Sequence, residues 1–455
     1  MGATITERLT DLLGRKIDPE TRQRACLHLL DWLSCATLGA TAPAGQALLA
    51  YARASEGGQT CATIGAGRRA VETAAFVNGG LGNIFEMDDL HRTSIVHPGD
   101  VVIPAALAVA ERDGASGIAV LDAIARGYEA AIRIGAAAGT RHYAYWYNTA
   151  TCGVFGAAAA AGSILGLNKP KMVDALGQAG MQASGLWQCR LEPTRSKQLA
   201  TARAAQSGVI AADLAAIGFP GPRQILEGPL GFFAATCPDG EPEAVITLPH
   251  EPWRIHDVSF KPWPACRHAH PVIEAALALR ARAASALPRE IEVLTYAEAV
   301  GFCDNPDPTT PHAARFSLQH CAALALLKGA PQLEDFKQQA IAEPSVVALR
   351  SKVGVRADRQ MTEAFPTRYG ASVSILHDDG SRDEELVETA KGDPENPMDE
   401  GEILDKSRTL LAAAGIADDA IGDLQDAALN LPFAESVTGL SELLVRLEPR
   451  ASDLS

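Results

Sequence analysis

Apolar residues recur at helical spacing through most of the chain. Asp18 is placed to cap a helix whose first position is Pro19, and Ala25, Leu27, Leu29, Leu30, Trp32 and Leu33 then form a broad apolar face. The stretch from Pro43 to Arg53 is again rich in Ala and Leu, and Thr60 to Ile64 followed by Gly65-Ala66-Gly67 reads as a short extended piece and a turn. A helix from Ala70 to Phe85 is expected next, then Ala105 to Arg112 and Gly117 to Ala138, whose small side chains let helix axes approach closely. Further helices are expected from near Val154, over Leu199 to Ala216 and over Val272 to Ala284. Beyond Pro288 the texture changes: Ile291, Val293 and Leu294, then Val353, Val355, Val373 and Ile375, sit in short alternating runs, and Asp378-Asp379-Gly380 is a hairpin signal. Helices over 313–327 and 333–342 are interspersed. The stretch Gly392 to Pro397 reads as a linker, followed by helices over 400–414 and 418–429 that return to the helical body. The pattern predicts a mainly α protein with helical segments at 1–256 and 393–455 and an α+β domain at 257–392.

At 455 residues the chain is long enough for two domains, and 47% hydrophobic with 21% charged residues is ordinary for a globular protein. The formal charge of -15 excludes nucleic acid and anionic membrane as general partners, so an anionic ligand needs a local cluster of cations. Nine cysteines occur as scattered singles without a CxxC pair, which argues against a disulfide framework or a zinc or iron-sulfur site and fits a reduced cytoplasm. Neither a secretory signal nor a run apolar enough to span a membrane is visible.

Four stretches carry candidate chemistry. Between Gly82 and Pro104, Glu86, Asp88, Asp89, His91 and His97 lie within twelve positions, flanked by apolar helices. Carboxylates beside imidazoles in an apolar frame point to tuned proton chemistry, although a solvated loop could hold the same residues for helix capping. Pro98-Gly99 favours a His97 ring presented at a loop end. Tyr143 to Tyr147 has four aromatics in five positions, and Asn148, Thr149 and Thr151 follow before a helix. That helix start could receive an anion, or Thr151 could be an ordinary N-cap. Arg195-Ser196-Lys197 precedes another helix. Lys261 to Pro271 includes Cys266, Arg267, His268 and His270 between prolines, a plausible carboxylate receptor; zinc is the rival, and the spacing of Cys266, His268 and His270 counts against it.

Taken in order, these stretches resemble the MmgE/PrpD family nearly end to end. The resemblance rests on Glu86 to Pro98 (similar to D-F-D-D followed by H-P-G), Gly153 to Leu167, Ser196-Lys197, Lys261 to Pro271, Arg315-Phe316-Ser317-Leu318-Gln319 and Gly392 to Pro397. It implies a helical domain built from both chain ends, an inserted α+β lid domain, a homodimer, and an active site in the cleft that uses no metal or other cofactor. His97 matches the family's acid or base, Asp88 and Asp89 its paired aspartates, and Lys197 and Lys261 its substrate-binding lysines. Glu86 stands where Asp is usual, Asn83 where His is frequent, Asn148 in place of the His of G-F-H-P-T, and His320 in place of the Tyr of F-S-x-x-Y. Glu86, His91, Asn148, Thr149, Cys266, Arg267, His268, His270 and His320 complete the expected substrate-binding set. The activity implied is a cofactor-independent lyase acting on a small di- or tricarboxylate, as a 2-methylcitrate-type hydro-lyase ahead of a cis-aconitate-type carboxy-lyase. The alternatives are an epimerase of an imino- or amino-diacid, of the iminodisuccinate type, and a non-catalytic paralogue that binds polycarboxylates.

Overall fold

The computed structural model of the chain describes residues 2–192, 194–282 and 288–450. It divides into two units: one holds the chain up to Ile84, Asp88–Val258 and the segment from Asp399, and the other holds Phe85–Met87 and Ser259–Met398.

The first unit is helical. Its N-terminal part runs α1 (Ile5–Leu13), α2 (Pro19–Gly39), α3 (Pro43–Ala54), the hairpin β1 (Cys61–Thr63) and β2 (Gly67–Arg69), α4 (Val71–Gly79), α5 (Gly99–Asp113) and α6 (Gly117–Ala137). Two single turns, α7 (Thr140–Tyr143) and α8 (Asn148–Thr151), lead into α9 (Gly153–Ile164), α10 (Lys169–Gly180), α11 (Ser196–Ala216) and α12 (Phe232–Thr236). The Gly/Ala-rich α9 lacks a polar face and is buried along nearly its whole length, with α5, α6 and α11 against it. Side-chain-free positions permit this: a Cβ on Gly156 would lie 2.6 Å from the Gly127 carbonyl oxygen of α6. Asp18 caps α2 as expected, its carboxylate accepting the Thr21 N–H at 2.8 Å.

Three expected boundaries moved. The helix from Ala70 stops at Gly79, where Gly79-Gly80 and then Gly82 follow. The helix expected from Ala105 starts at Gly99, because Pro98 and Gly99 open it rather than block it, and Pro104 is accommodated inside it. His97 therefore stands immediately before a helix N-terminus. Thr151 lies within α8 instead of capping α9.

In the second unit, α13 (His270–Arg282) is followed by residues 283–287, where the end of the helix expected to reach Ala284 lies outside the described residues. The chain continues through β3 (Glu290–Thr295), α14 (Ala297–Cys303), α15 (Pro311–Arg315), α16 (Leu318–Leu327), α17 (Gln338–Ile341), α18 (Pro344–Arg350), β4 (Val353–Ala357), α19 (Arg359–Ala364), β5 (Ala371–Leu376) and β6 (Arg382–Val387). The sheet order is β4-β3-β5-β6, with β3 and β4 parallel and the other pairs antiparallel; Val293 faces Val355 on one side and Val373 on the other. Helices α13 and α16 pack with this sheet around Val293, Val373, Ile273 and Leu324. The single helix expected over 313–327 is broken at Phe316, where Ser317 caps α16 by accepting the His320 N–H at 3.0 Å.

Gly392 to Pro397 is a turn anchored in this unit by the buried Gly392 and Asp393 rather than a linker. Gly392 adopts φ 92°, and a Cβ there would lie 1.9 Å from the Phe260 carbonyl oxygen. The chain then returns to the first unit through α20 (Glu400–Ala413), α21 (Asp418–Leu429) and α22 (Thr438–Arg446). The Gly117 N–H donates to the Ala434 carbonyl at 3.0 Å, and Ser34 Oγ donates to Ser407 Oγ at 2.9 Å, so both chain ends build one core. No helix among the described residues is long and apolar enough to cross a membrane.

Candidate active site

The stretch between α4 and α5 is held in a conformation that its sequence does not favour. Ile95 sits at φ 52°, a left-handed value rare for a β-branched residue, within a turn closed by the His91 N–H to the Val96 carbonyl at 2.9 Å. His91 sustains the turn. Its Nδ1 accepts the Ser94 N–H at 3.2 Å and lies 2.9 Å from Ser94 Oγ, while burial, with Arg254 and Arg92 nearby, drives the ring down to about 3. A neutral, engaged His91 holds the loop that presents His97.

At the end of this loop His97 Nδ1 lies 2.6 Å from Asp88 Oδ2. The contact is close but is not aligned as a regular hydrogen bond. Asp88 is buried, whereas the His97 side chain remains 12% exposed, so the pair has a protected end and an accessible end. With Nδ1 against the carboxylate, Nε2 is the ring nitrogen left to exchange a proton.

The aromatic stretch meets this loop from the other side. Thr149 Oγ1 accepts the His97 backbone N–H at 3.0 Å, and Asn148 Nδ2 donates to the Ser94 carbonyl at 2.9 Å. The structure thus brings residues 148 and 149 onto the loop of residues 91–97. The other amide atom, Asn148 Oδ1, is buried without a donor among the described residues.

Asp89 faces inward. Its Oδ2 accepts from the Tyr128 hydroxyl at 2.7 Å and meets His28 Nδ1 at 2.8 Å, and its Oδ1 accepts the Gly99 N–H at 3.1 Å. Burial pushes the carboxyl up to about 6 even though these donors pull it down. Asp100, in the first turn of α5, completes a group of buried acids; burial and the adjacent Asp88 hold it well above the usual carboxylate range.

Lys197 supplies a cation to this unit from the first turn of α11. Its Nζ stands 5.9 Å from the Tyr147 ring centroid, and its charge acts on the Asp100 carboxyl. The position of this helix start is fixed by Gln198 Nε2 donating to Asn83 Oδ1 at 3.0 Å, while Asn83 Nδ2 donates to Thr201 Oγ1 at 3.3 Å. Asn83 therefore ties the end of α4 to α11.

The second unit holds the remaining candidates. Lys261 is fully buried with its Nζ 3.6 Å from Glu86 Oε2, and Glu86 itself occupies a left-handed φ of 57°. The backbone beside Lys261 is anchored by the 390–396 turn: the Phe260 N–H donates to the Gly392 carbonyl at 3.1 Å, and Ser259 Oγ donates to Asp393 Oδ1 at 2.7 Å. Arg267 braces the same turn, donating to Asp393 Oδ1 at 2.5 Å and to the Ala390 and Lys391 carbonyls. His270 lies between Arg267 and the Ala265 carbonyl, and His268 Nδ1 lies 2.5 Å from the Tyr296 hydroxyl with its ring stacked on Tyr369. A hydrogen bond from the Cys303 thiol pulls the Cys266 thiol below its ordinary value against the effect of burial. His320 is buried beside Phe336, and burial lowers its ring to about 4. Among the described residues, no three His, Cys, Asp or Glu side chains surround a common point as metal ligands would.

Sequence reasoning missed Asp100, Tyr128, His28 and Asp393. The available signal was polarity in the wrong place: His28 and Tyr128 interrupt otherwise apolar helix faces, and Asp100 directly follows His97-Pro98-Gly99.

Comparison with known proteins adds an independent line. The model of the MmgE/PrpD N-terminal domain matches residues 4–245, and that of the MmgE/PrpD C-terminal domain matches residues 263–427. A protein named cis-aconitate decarboxylase from Aspergillus terreus is 28% identical, over 97% of this chain and 95% of its own length. A cis-aconitate decarboxylase-like protein from Aspergillus oryzae is 27% identical over 97% of this chain and 96% of its own length. The cis-aconitate decarboxylase of Mus musculus is 28% identical over 84% and 80%.

Proposed function

The chain belongs to the MmgE/PrpD family, and from that premise we propose that it is a lyase removing carbon dioxide from a small unsaturated tricarboxylate such as cis-aconitate. The observation that carries this reading is the His97–Asp88 pair, a proton donor with one ring nitrogen accessible and the other backed by a buried carboxylate. The names of the relatives favour decarboxylation over dehydration, which the resemblance had placed first.

In the proposed step the bond from carbon to the departing carboxylate breaks and CO2 leaves. The electron pair stays on carbon and spreads into the conjugated double bond and its carboxylate. The N–H bond at His97 Nε2 breaks as a C–H bond forms at that carbon, and the neutral ring regains its proton from solvent. Asp88 holds the ring in place through Nδ1, which leaves Nε2 directed to the transfer. The cation at Lys197 stabilises a carboxylate that stays behind, and we assign Lys261 to anionic substrate as well. The reading further includes a homodimer that works without a metal or organic cofactor in the cytoplasm.

The test is an assay of chelator-treated protein with cis-aconitate in deuterated water. Release of CO2 with one solvent deuteron bound to carbon in the product is expected. Deuterium entering recovered substrate without net turnover would instead mark an epimerase. Loss of water from a hydroxy-tricarboxylate with no CO2 release from cis-aconitate would mark a hydro-lyase. Binding of polycarboxylates with none of these reactions would leave a non-catalytic paralogue.

A further inference from the structure

We propose that Asp100 is a positioning residue, held as an uncharged carboxylic acid whose O–H donates to Asp88 and thereby fixes the carboxylate that orients His97. The inference rests on the reading of His97 as proton donor, and its own evidence is geometric. Asp100 is fully buried, and neither oxygen accepts from any N–H or neutral O–H among the described residues. Its neighbour is the Asp88 carboxyl, at hydrogen-bonding range.

An acidic residue in the first turn of a helix ordinarily serves the helix, by accepting its free N–H groups or by facing the positive end of its dipole. Asp100 accepts none of those N–H groups; α5 has no side-chain cap, and the carboxyl is directed instead into the space beside Gly82. A Cβ on Gly82 would lie 2.0 Å from Asp100 Oδ1, so the absent side chain is what admits the carboxyl. The Trp32 indole N–H borders the same glycine and bonds neither oxygen.

Two carboxyls in contact away from water do not both ionise, because neither charge is solvated there and the two repel. One proton between them removes the repulsion and gives the Asp100 carboxyl a hydrogen bond. The charged and titratable groups facing Asp100 are Asp88, Asp89 and Lys197, with Tyr128, Cys35 and Asp31 in the next layer. Lys197 favours ionisation, and its effect is smaller than those of burial and Asp88, which oppose it. Asp88 is the carboxyl that faces His97 Nδ1, at 2.6 Å, which assigns the shared proton to Asp100.

The assignment is read by infrared difference spectroscopy of wild type against Asp100→Asn at pH 8, where the buried carboxyls of Asp89 and Asp31, each raised to about 6, have ionised. A carboxylic-acid C=O band present in wild type and lost in the variant is expected; no such band would overturn the proposal. Turnover gives the second reading. Asp100→Leu removes the donor to Asp88 and should lower kcat by about 10- to 100-fold with KM little changed, while Asp100→Asn, whose amide can still donate, should recover most of the loss. Asn as impaired as Leu would show that an ionised Asp100 is required and would also overturn it. The infrared comparison uses neither turnover nor the Leu variant. A band that appears in protein unable to decarboxylate would therefore count against the proposed reaction and not against the state of Asp100.

Discussion

His97 has one ring nitrogen against Asp88 and one left to exchange a proton, and that asymmetry decides what a substitution there does. Gln keeps a polar side chain of similar reach but cannot release a proton near neutral pH. His97→Gln should lower turnover by roughly 10²- to 10⁴-fold, with substrate binding largely kept. Steady-state kinetics together with a binding isotherm separate the two effects, and near-normal turnover would remove His97 from the reaction. The residues of this pair were legible in the sequence because acids and imidazoles stood out between apolar helices nine positions apart. The support behind them was not. Asp89 meets His28 across 61 positions and Tyr128 across 39, and no local pattern announces a partner at that separation. Asn148 and His320 were legible only as departures from a family pattern. The structure gives Asn148 a role in fastening the loop at Ser94, and it gives His320 a neutral ring within the second unit.

At the scale of elements, helices with strong caps or proline starts were readable: Asp18-Pro19 opens α2, and the 418–429 helix begins and ends where periodicity placed it. Glycine and proline misled where one sign can mean either end of a helix. Pro98-Gly99 starts α5, although the same dipeptide reads as a stop, because proline's missing N–H costs nothing at a position with no intrahelical partner. Small residues signalled close packing of α5 and α6, and the crossing of α6 with α9 at Gly127 and Gly156 is a close approach of the same kind. Gly156→Ala would gain up to about 1 kcal/mol of helix propensity. Its Cβ, however, would meet the Gly127 carbonyl oxygen at 2.6 Å and Ala131 Cβ at 2.8 Å, and backbone cannot yield as a flexible side chain does. Overpacking of that kind costs about 1–3 kcal/mol, so the net effect should be destabilising by about 1 kcal/mol, measured by denaturant unfolding. A neutral or stabilised variant would mean that α6 and α9 separate more easily than their buried contacts indicate.

For the whole molecule the sequence suggested that the last helices return to the first ones, but not what joins them. The first unit is closed in part by Lys406 of α20, whose Nζ lies 2.5 Å from Asp31 Oδ1 of α2, both side chains buried. Burial pushes the Asp31 carboxyl up to about 6 although Lys406 pulls it down, whereas an aspartate in the unfolded chain titrates near 3.9. Because the folded value is raised, the contribution of this group to stability is fully present below about pH 4 and is lost as pH rises through about 6. Lys406 limits that loss by pairing with the carboxylate once it is charged. Removing one partner of such a pair costs about 3–5 kcal/mol where the other remains ionised. Lys406→Met should therefore destabilise the protein by several kcal/mol at pH 7.5 and by clearly less at pH 5, where Asp31 carries a proton in the folded chain. Adding Asp31→Asn to the variant should recover most of the loss at pH 7.5, since no charge is then left buried. Chemical denaturation of the three proteins at both pH values tests this. An equal cost at pH 5 and pH 7.5, with no recovery in the double variant, would show that Lys406 holds the two chain ends together by the packing of its stem and not by its charge.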